Sequence, residues 1–186
     1  MPKKIKYRYN ENRYVNAAFD FIKTIVFVMA VVALLFTYFI RDVNVVGSSM
    51  YDTLHAGDKV ILTTFNYTPK SGDIVAINTE NLIEKRIIKR VIATEGQLID
   101  IDYKTGDVYV DGIIISEDYL YSATNKPDDA FALPCVVPEN HIFVMGDNRL
   151  ISFDSRDTGI GLVSCDDIIG KAQFVFYPFD RVKYIY

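Results

Sequence analysis

The chain has 186 residues, half of them hydrophobic, and a formal net charge of −4. That length holds one folded domain plus a membrane or targeting segment, and the lack of any basic run beyond the N-terminus excludes a nucleic-acid-binding protein. Two histidines and two cysteines, without CxxC spacing, give no metal-site signature; Cys135 and Cys165 are read either as a disulfide pair or, preferably, as small buried apolar groups.

Residues 1–16 carry Lys3, Lys4, Lys6, Arg8 and Arg13 against one acid, Glu11. A charge-free run follows from Thr24 to Ile40, extended to Phe21 if Lys23 lifts its ammonium back to the interface. As a helix this run covers about 25 Å at ~1.5 Å per residue, inside the range of membrane-crossing segments. Lys23 and Arg41 fence it, Tyr38 stands where an interfacial ring belongs, and it lacks the polar positions that a buried globular helix repeats. We therefore expect a cytoplasmic tail over residues 1–20, a transmembrane helix over 21–41 and an extracytoplasmic domain over 42–186. The orientation follows from the basic residues before the helix, with Arg41 alone between it and Lys59. The run is longer than a cleavable signal's apolar core and no small-x-small pair follows promptly, so the helix is an uncleaved anchor.

After the anchor the pattern changes to strands. Lys59 to Phe65 and Asp73 to Ile77 are β-branched and bounded by Gly57-Asp58, Pro69 and Gly72. Arg86 to Ala93 and Gln97 to Asp102 follow, and Val108 to Ile115 reads as a hairpin closed by Asp111-Gly112. Residues 118–134, with Asn125, Pro127 and Pro134, form a loop excursion; His141 to Met145 and Ile168 to Tyr177 are the last strands, the latter ended by Pro178. With no repeats and no second core, the expected fold is one mainly β, antiparallel domain on a membrane tether.

Ser48 and Ser49 follow Gly47 just outside the anchor. A serine hydroxyl needs a base to act as a nucleophile at neutral pH. His55 lies in a turn beside Gly57-Asp58 and His141 opens an apolar strand, so ordinary solvation and packing account for both. Lys89 shares one strand face with Ile87 and Val91, where an ammonium loses hydration and the neutral amine is favoured. Arg90, however, shares the opposite face with Ile88 and Ile92. Alternation alone does not choose between the two cations, and edge-strand positions with both heads in solvent are the default reading.

Three ordered segments resolve this. Ser49-Met50-Tyr51-Asp52-Thr53-Leu54, Lys89-Arg90-Val91, and Gly146-Asp147-Asn148-Arg149 followed by Ser152, Asp154, Ser155 and Arg156 resemble the motifs of type I signal peptidases, in the single-anchor form of Gram-positive bacteria. The similarity extends to the tether, to Gly96 through Leu120 and to Gly170 through Pro178. The resemblance implies a signal-peptidase-like antiparallel β domain and a membrane-bound serine endopeptidase that removes signal peptides from exported preproteins. It makes Ser49 the nucleophile and Lys89 the general base, with Ser152 orienting the lysine and the Asp154/Arg156 pair holding the site's geometry. Gly47 stands where some members carry a serine that helps to form the oxyanion hole, which leaves the Ser49 N–H as donor. The resemblance further implies preproteins with small residues at the first and third positions before the cut as substrates, the lipid bilayer as a partner, and no metal or cofactor.

Two departures stand out. Asp52 replaces the family's proline, removing a fixed φ beside the nucleophile and introducing either an Asx turn or a carboxylate near the dyad. Glu95-Gly96-Gln97 replaces Pro-Gly-Asp. They motivate an alternative reading, a catalytically silent homologue that binds exported or pilin-like proteins during assembly. A self-cleaving repressor is disfavoured by the N-terminal membrane helix, and a Ser-x-x-Lys penicillin-recognising enzyme by the absence of that spacing.

Overall fold

The computed structural model describes residues 5–65, 67–79 and 86–185; Lys3 and Lys4 lie outside them, as do the side chains of Lys6, Arg8, Glu11 and Tyr38. Two compact units make up the chain, residues 1–39 and 40–186.

The first unit is a single helix, α1 (Ile5–Phe39), uninterrupted because no glycine or proline falls within it. Its stretch Arg13–Leu34 is long and apolar enough to cross a membrane, and none of it is buried. Thr24 and Thr37 donate to the carbonyls of Asp20 and Ala33, each at 2.8 Å, and Lys23 pairs with Asp20 at 3.2 Å.

The chain passes directly into β1 (Ile40–Asn44), so Ile40 and Arg41 are strand residues, paired with Thr63 and Leu62 of β2 (Lys59–Thr63). Next come β3 (Ile74–Asn78) and β4 (Arg86–Thr94). Then follow β5 (Leu98–Asp102), β6 (Asp107–Val110), β7 (Ile113–Ile114) and β8 (Cys135–Val136), which form a sheet of their own in the order β7-β6-β5-β8. The chain returns through β9 (His141–Met145), β10 (Val163–Ser164), β11 (Ile168–Tyr177) and β12 (Lys183–Tyr184) to the first sheet. Its order is β1-β2-β11-β3-β4-β9-β10, with β12 on β11. All strand pairs are antiparallel. The small sheet is thus an insertion between β4 and β9, two strands that pair with each other. That pairing brings two of the sequence motifs together, because Lys89 lies on β4 and Gly146 directly follows β9.

The β6–β7 hairpin turns at Asp111 and Gly112, whose φ values of 53° and 77° match the two positive angles of a type I′ turn. Burial alternates along β2 and β6 and is continuous over Ile74–Ile77 of β3, which is covered on both faces. Two corrections to the sequence reading emerge. A second core exists, built around Ile99, Ile101, Val108, Phe143 and Met145 where the inserted sheet packs on β4 and β9. And β4 is an interior strand between β3 and β9, so Lys89 and Arg90 are both buried and neither is an edge cation. Cys135 and Cys165 are both free thiols, half-buried, and burial pushes each thiol pKa up.

Candidate active site

The loop from Val45 to Asp58 is closed at its neck by Val45 N–H to Asp58 O (2.8 Å) and Gly57 N–H to Val45 O (3.0 Å). Met50 and Leu54 are its buried anchors, one turn apart and joined by Leu54 N–H to Met50 O at 2.7 Å. Gly47 takes φ 77°, a conformation that favours glycine, and the chain then presents Ser48 exposed and Ser49 half-buried. Asp58, itself buried, accepts from His55 N–H at 2.9 Å and pairs with Arg181 at 2.7 Å, tying the loop to the C-terminal segment.

Ser49 and Lys89 line one cavity of about 300 Å³. Its walls are two runs of chain, Asp42–Gly47 on one side and Arg86–Lys89 on the other, with Ser49 and Met50 completing it. Lys89 is only 3% exposed. Opposite it in the register stands Val75, an apolar partner.

The segment after β9 holds the Ser48-Ser49 turn through Asn148. Asn148 N–H donates to Ser49 O at 2.9 Å, and Asn148 Nδ2 donates to Ser48 O at 3.3 Å. Gly146 lets this approach happen: a Cβ there would sit 2.3 Å from Ser152 Oγ and 2.5 Å from Ser49 O. Ser152 is buried, and its Oγ reaches toward Asp154 without a hydrogen bond of ordinary geometry among the described residues. A polar atom in that state is poised to receive a partner.

Three buried arginines fix this segment, each with its own carboxylate. Arg156 donates through Nε and Nη2 to the two oxygens of Asp154, at 2.8 and 3.0 Å. Burial pushes the Asp154 carboxyl up, but Arg156 and the Gly146 N–H (3.0 Å) outweigh it and hold the pKa below the ordinary carboxylate value. The pair is therefore not the surface salt bridge that sequence alone would allow. Arg149 is clasped by Glu117 and by Thr124 Oγ1 at 2.6 Å. Arg90 donates from Nε and Nη2 to Asp147 at 2.9 and 2.8 Å and from Nη1 to Gly72 O at 2.8 Å. Neither Arg90–Asp147 nor Arg149–Glu117 was anticipated, because each links residues far apart in sequence.

Asp52 and the histidines stand apart from the cavity. Asp52 is exposed, its Oδ1 lies 3.5 Å from His55 Nε2, and it lines a different recess with Asp118, Tyr121 and Lys183. Neither alternative at Asp52 is seen: no Asx turn is formed among the described hydrogen bonds, and the carboxylate does not line the cavity of Lys89. His141 Nδ1 is spent on the Glu139 carbonyl at 2.8 Å. At the second departure, Gln97 Oε1 accepts from Thr94 N–H at 2.9 Å and closes the turn, while Glu95 accepts from Asn140 N–H at 2.9 Å. No group of His, Cys, Asp and Glu able to hold a metal ion occurs among the described residues.

Residues 18–177 match a family model described as signal peptidase, peptidase S26. Signal peptidase I T of Bacillus subtilis (strain 168) is 38% identical over 167 residues, covering 84% of each chain. Signal peptidase I of Bacillus licheniformis is 34% identical over 180 residues, covering 90% of this chain and 93% of that protein. A crystal structure of a signal peptidase I from Enterococcus faecalis V583 aligns over 56% of this chain and 97% of that one, with 29% identity and a TM-score of 0.46.

Proposed function

The chain belongs to the signal peptidase, peptidase S26, family, and from that premise we propose that it is a membrane-anchored serine endopeptidase that cuts signal peptides from exported preproteins with a Ser49/Lys89 dyad. The observation that carries the reading is the shared cavity: a half-buried serine and a buried lysine, from segments far apart in sequence, line one space large enough for small substrate side chains.

In this mechanism Lys89 acts as the neutral amine and takes the Ser49 Oγ proton as the oxygen attacks the carbonyl carbon of the last signal-peptide residue. The negative oxygen of the tetrahedral intermediate is met by the Ser49 N–H. Collapse breaks the C–N bond, Lys89 returns the proton to the leaving amine, and the mature chain departs. Lys89 then deprotonates a water that hydrolyses the acyl-enzyme. Ser152 supplies the buried hydroxyl that orients the lysine, and Asp154/Arg156 hold Ser152 and Gly146 in place. The two extended walls of the cavity suit a substrate lying between them as a strand, with its small side chains at the first and third positions before the cut turned inward. Helix α1 anchors the enzyme with residues 1–20 inside and 42–186 outside, where such substrates emerge.

The test is cleavage of a preprotein by the purified full-length chain beside its Ser49→Ala variant, the product's new N-terminus read by mass spectrometry. Cleavage at a small-x-small site by the wild type alone is the expected result. A folded wild type that binds the preprotein without cutting it would favour the silent homologue instead. Protease added to intact spheroplasts should digest the large domain; its full protection would reject the orientation.

A further inference from the structure

Tyr119 belongs to the excursion that the sequence presents only as a loop, and it does not line the cavity of Ser49 and Lys89. Its ring nevertheless lies over the Arg90 guanidinium, 3.9 Å from Cζ to the ring centroid. The in-plane donors of Arg90 are committed to Asp147 and Gly72, which leaves the guanidinium face as the surface an aromatic ring covers.

Building on the Ser49/Lys89 reading, we propose that Tyr119 is a positioning residue for the reaction: by capping Arg90 it preserves the link through which the lysine strand grips the nucleophile turn.

That link can be followed atom by atom. Arg90 is the neighbour of Lys89 on β4. Its carboxylate partner, Asp147, also accepts from Thr53 Oγ1 at 2.5 Å, and Thr53 is in the nucleophile loop. Asp147 O accepts from Tyr121 N–H at 3.1 Å, so the segment bearing Tyr119 is fastened to the same residue. Tyr119 OH donates to Glu117 Oε1 at 3.1 Å, Glu117 clasps Arg149, and Arg149 Nε donates to Gly146 O at 3.0 Å. One short stretch, Glu117–Tyr121, thereby touches both Arg90 and Arg149. The Arg90 and Asp147 side chains are 5% and 0% exposed; their attraction depends on that exclusion of water, and the ring is part of the cover. Without it, water reaches the pair, Thr53 loses a fixed acceptor, and Ser49 and Lys89 drift relative to each other. A substrate in the cavity meets the same walls as before, so the loss falls on the chemical step.

The experiment compares full-length wild type, Tyr119→Phe and Tyr119→Leu in detergent, with steady-state kinetics on a preprotein and thermal melts. Tyr119→Leu should lower kcat by about 10- to 100-fold, the scale of a small misplacement of reacting groups, with KM within about twofold. Tyr119→Phe keeps the ring and loses only the bond to Glu117, so it should retain most of kcat. If Tyr119→Leu does not fold, Tyr119→Met, apolar and of similar reach, takes its place with the same expectation. Wild-type kcat in the ring-less variant overturns the proposal, as does a loss confined to KM or an equal loss in Tyr119→Phe. Those outcomes leave the Ser49/Lys89 reading standing; an inactive wild type overturns both.

Discussion

On one side of the Ser49 turn lies an open cavity lined by apolar and polar residues together; on the other lies a block in which Arg90, Arg149 and Arg156 each meet a carboxylate out of reach of water. The second region is saturated: guanidinium donors find backbone or side-chain oxygens, and such a network admits few arrangements. The first keeps space. A reactive pair held to a fraction of an ångström needs rigid support that does not itself occupy the substrate's place, and on the proposed reading β4 divides the two tasks between adjacent residues. The lysine side chain goes into the cavity from β4, whereas its neighbour Arg90 ties the same strand to the block.

The comparison can be broken first on the cavity side. Ser49→Ala and Lys89→Met should each reduce kcat/KM on a preprotein by more than about 10³-fold with little change in the melting curve. Ser48→Ala and His141→Ala should keep substantial activity, and a dead Ser48→Ala beside an active Ser49→Ala would reverse the assignment.

The support side should answer in stability. Arg156→Met strands Asp154 as a buried carboxylate, and urea unfolding should show a loss of about 3–5 kcal/mol. The sign of the pH dependence follows from the depressed Asp154 pKa. The pair's contribution is complete above the unfolded value of about 3.9 and is lost as pH falls through the lower folded value. Acid unfolding of Arg156→Met should therefore begin at a higher pH than in the wild type.

Gly146 sits on the seam between the two regions, so Gly146→Ala should affect both. Its Cβ would fall within 2.6 Å of Ser152 and Ser49 atoms, and relief of that overlap should cost about 1–3 kcal/mol together with a drop in kcat. The smallest effect is expected at Asp52. An exposed carboxylate whose partner is His55 is worth under about 1 kcal/mol, so Asp52→Asn should match the wild type in rate and pH profile. A pH–rate profile displaced by one unit, about 1.4 kcal/mol, would place the charge in the field of Ser49 and Lys89.

Much of this architecture could be read from residue order. The strands at His141–Met145 and Ile168–Tyr177 coincide with the expected ones, and the Asp111-Gly112 turn closes the hairpin it suggests. Apolar alternation and turn chemistry are local signals, and these elements are local. β1 was hidden because Ile40 and Arg41 fall inside the expected helix over 21–41, and β8, β10 and β12 are two-residue strands too short for any period to show. The motif residues themselves were legible through resemblance, but the burial of Arg90 was not. Alternation gave Lys89 and Arg90 equal claims, and only the sheet order, with the inserted strands set aside so that β4 meets β9, puts both inside. The clasp of Glu117 on Arg149 depends on where an irregular loop returns, which no periodicity encodes.

The cavity has a thermodynamic consequence apart from turnover. Space of about 300 Å³ beside a close-packed core represents van der Waals contacts that the folded chain does not make by itself. Whatever fills it binds the native state and not the unfolded one, so stability becomes a function of occupant concentration, rising by RT ln(1 + [L]/Kd), or about 2.7 kcal/mol at a hundredfold excess over Kd. An uncleavable strand-shaped peptide should raise the melting temperature of Ser49→Ala as much as that of the wild type, so heat alone could rank ligands for an enzyme that no longer turns over.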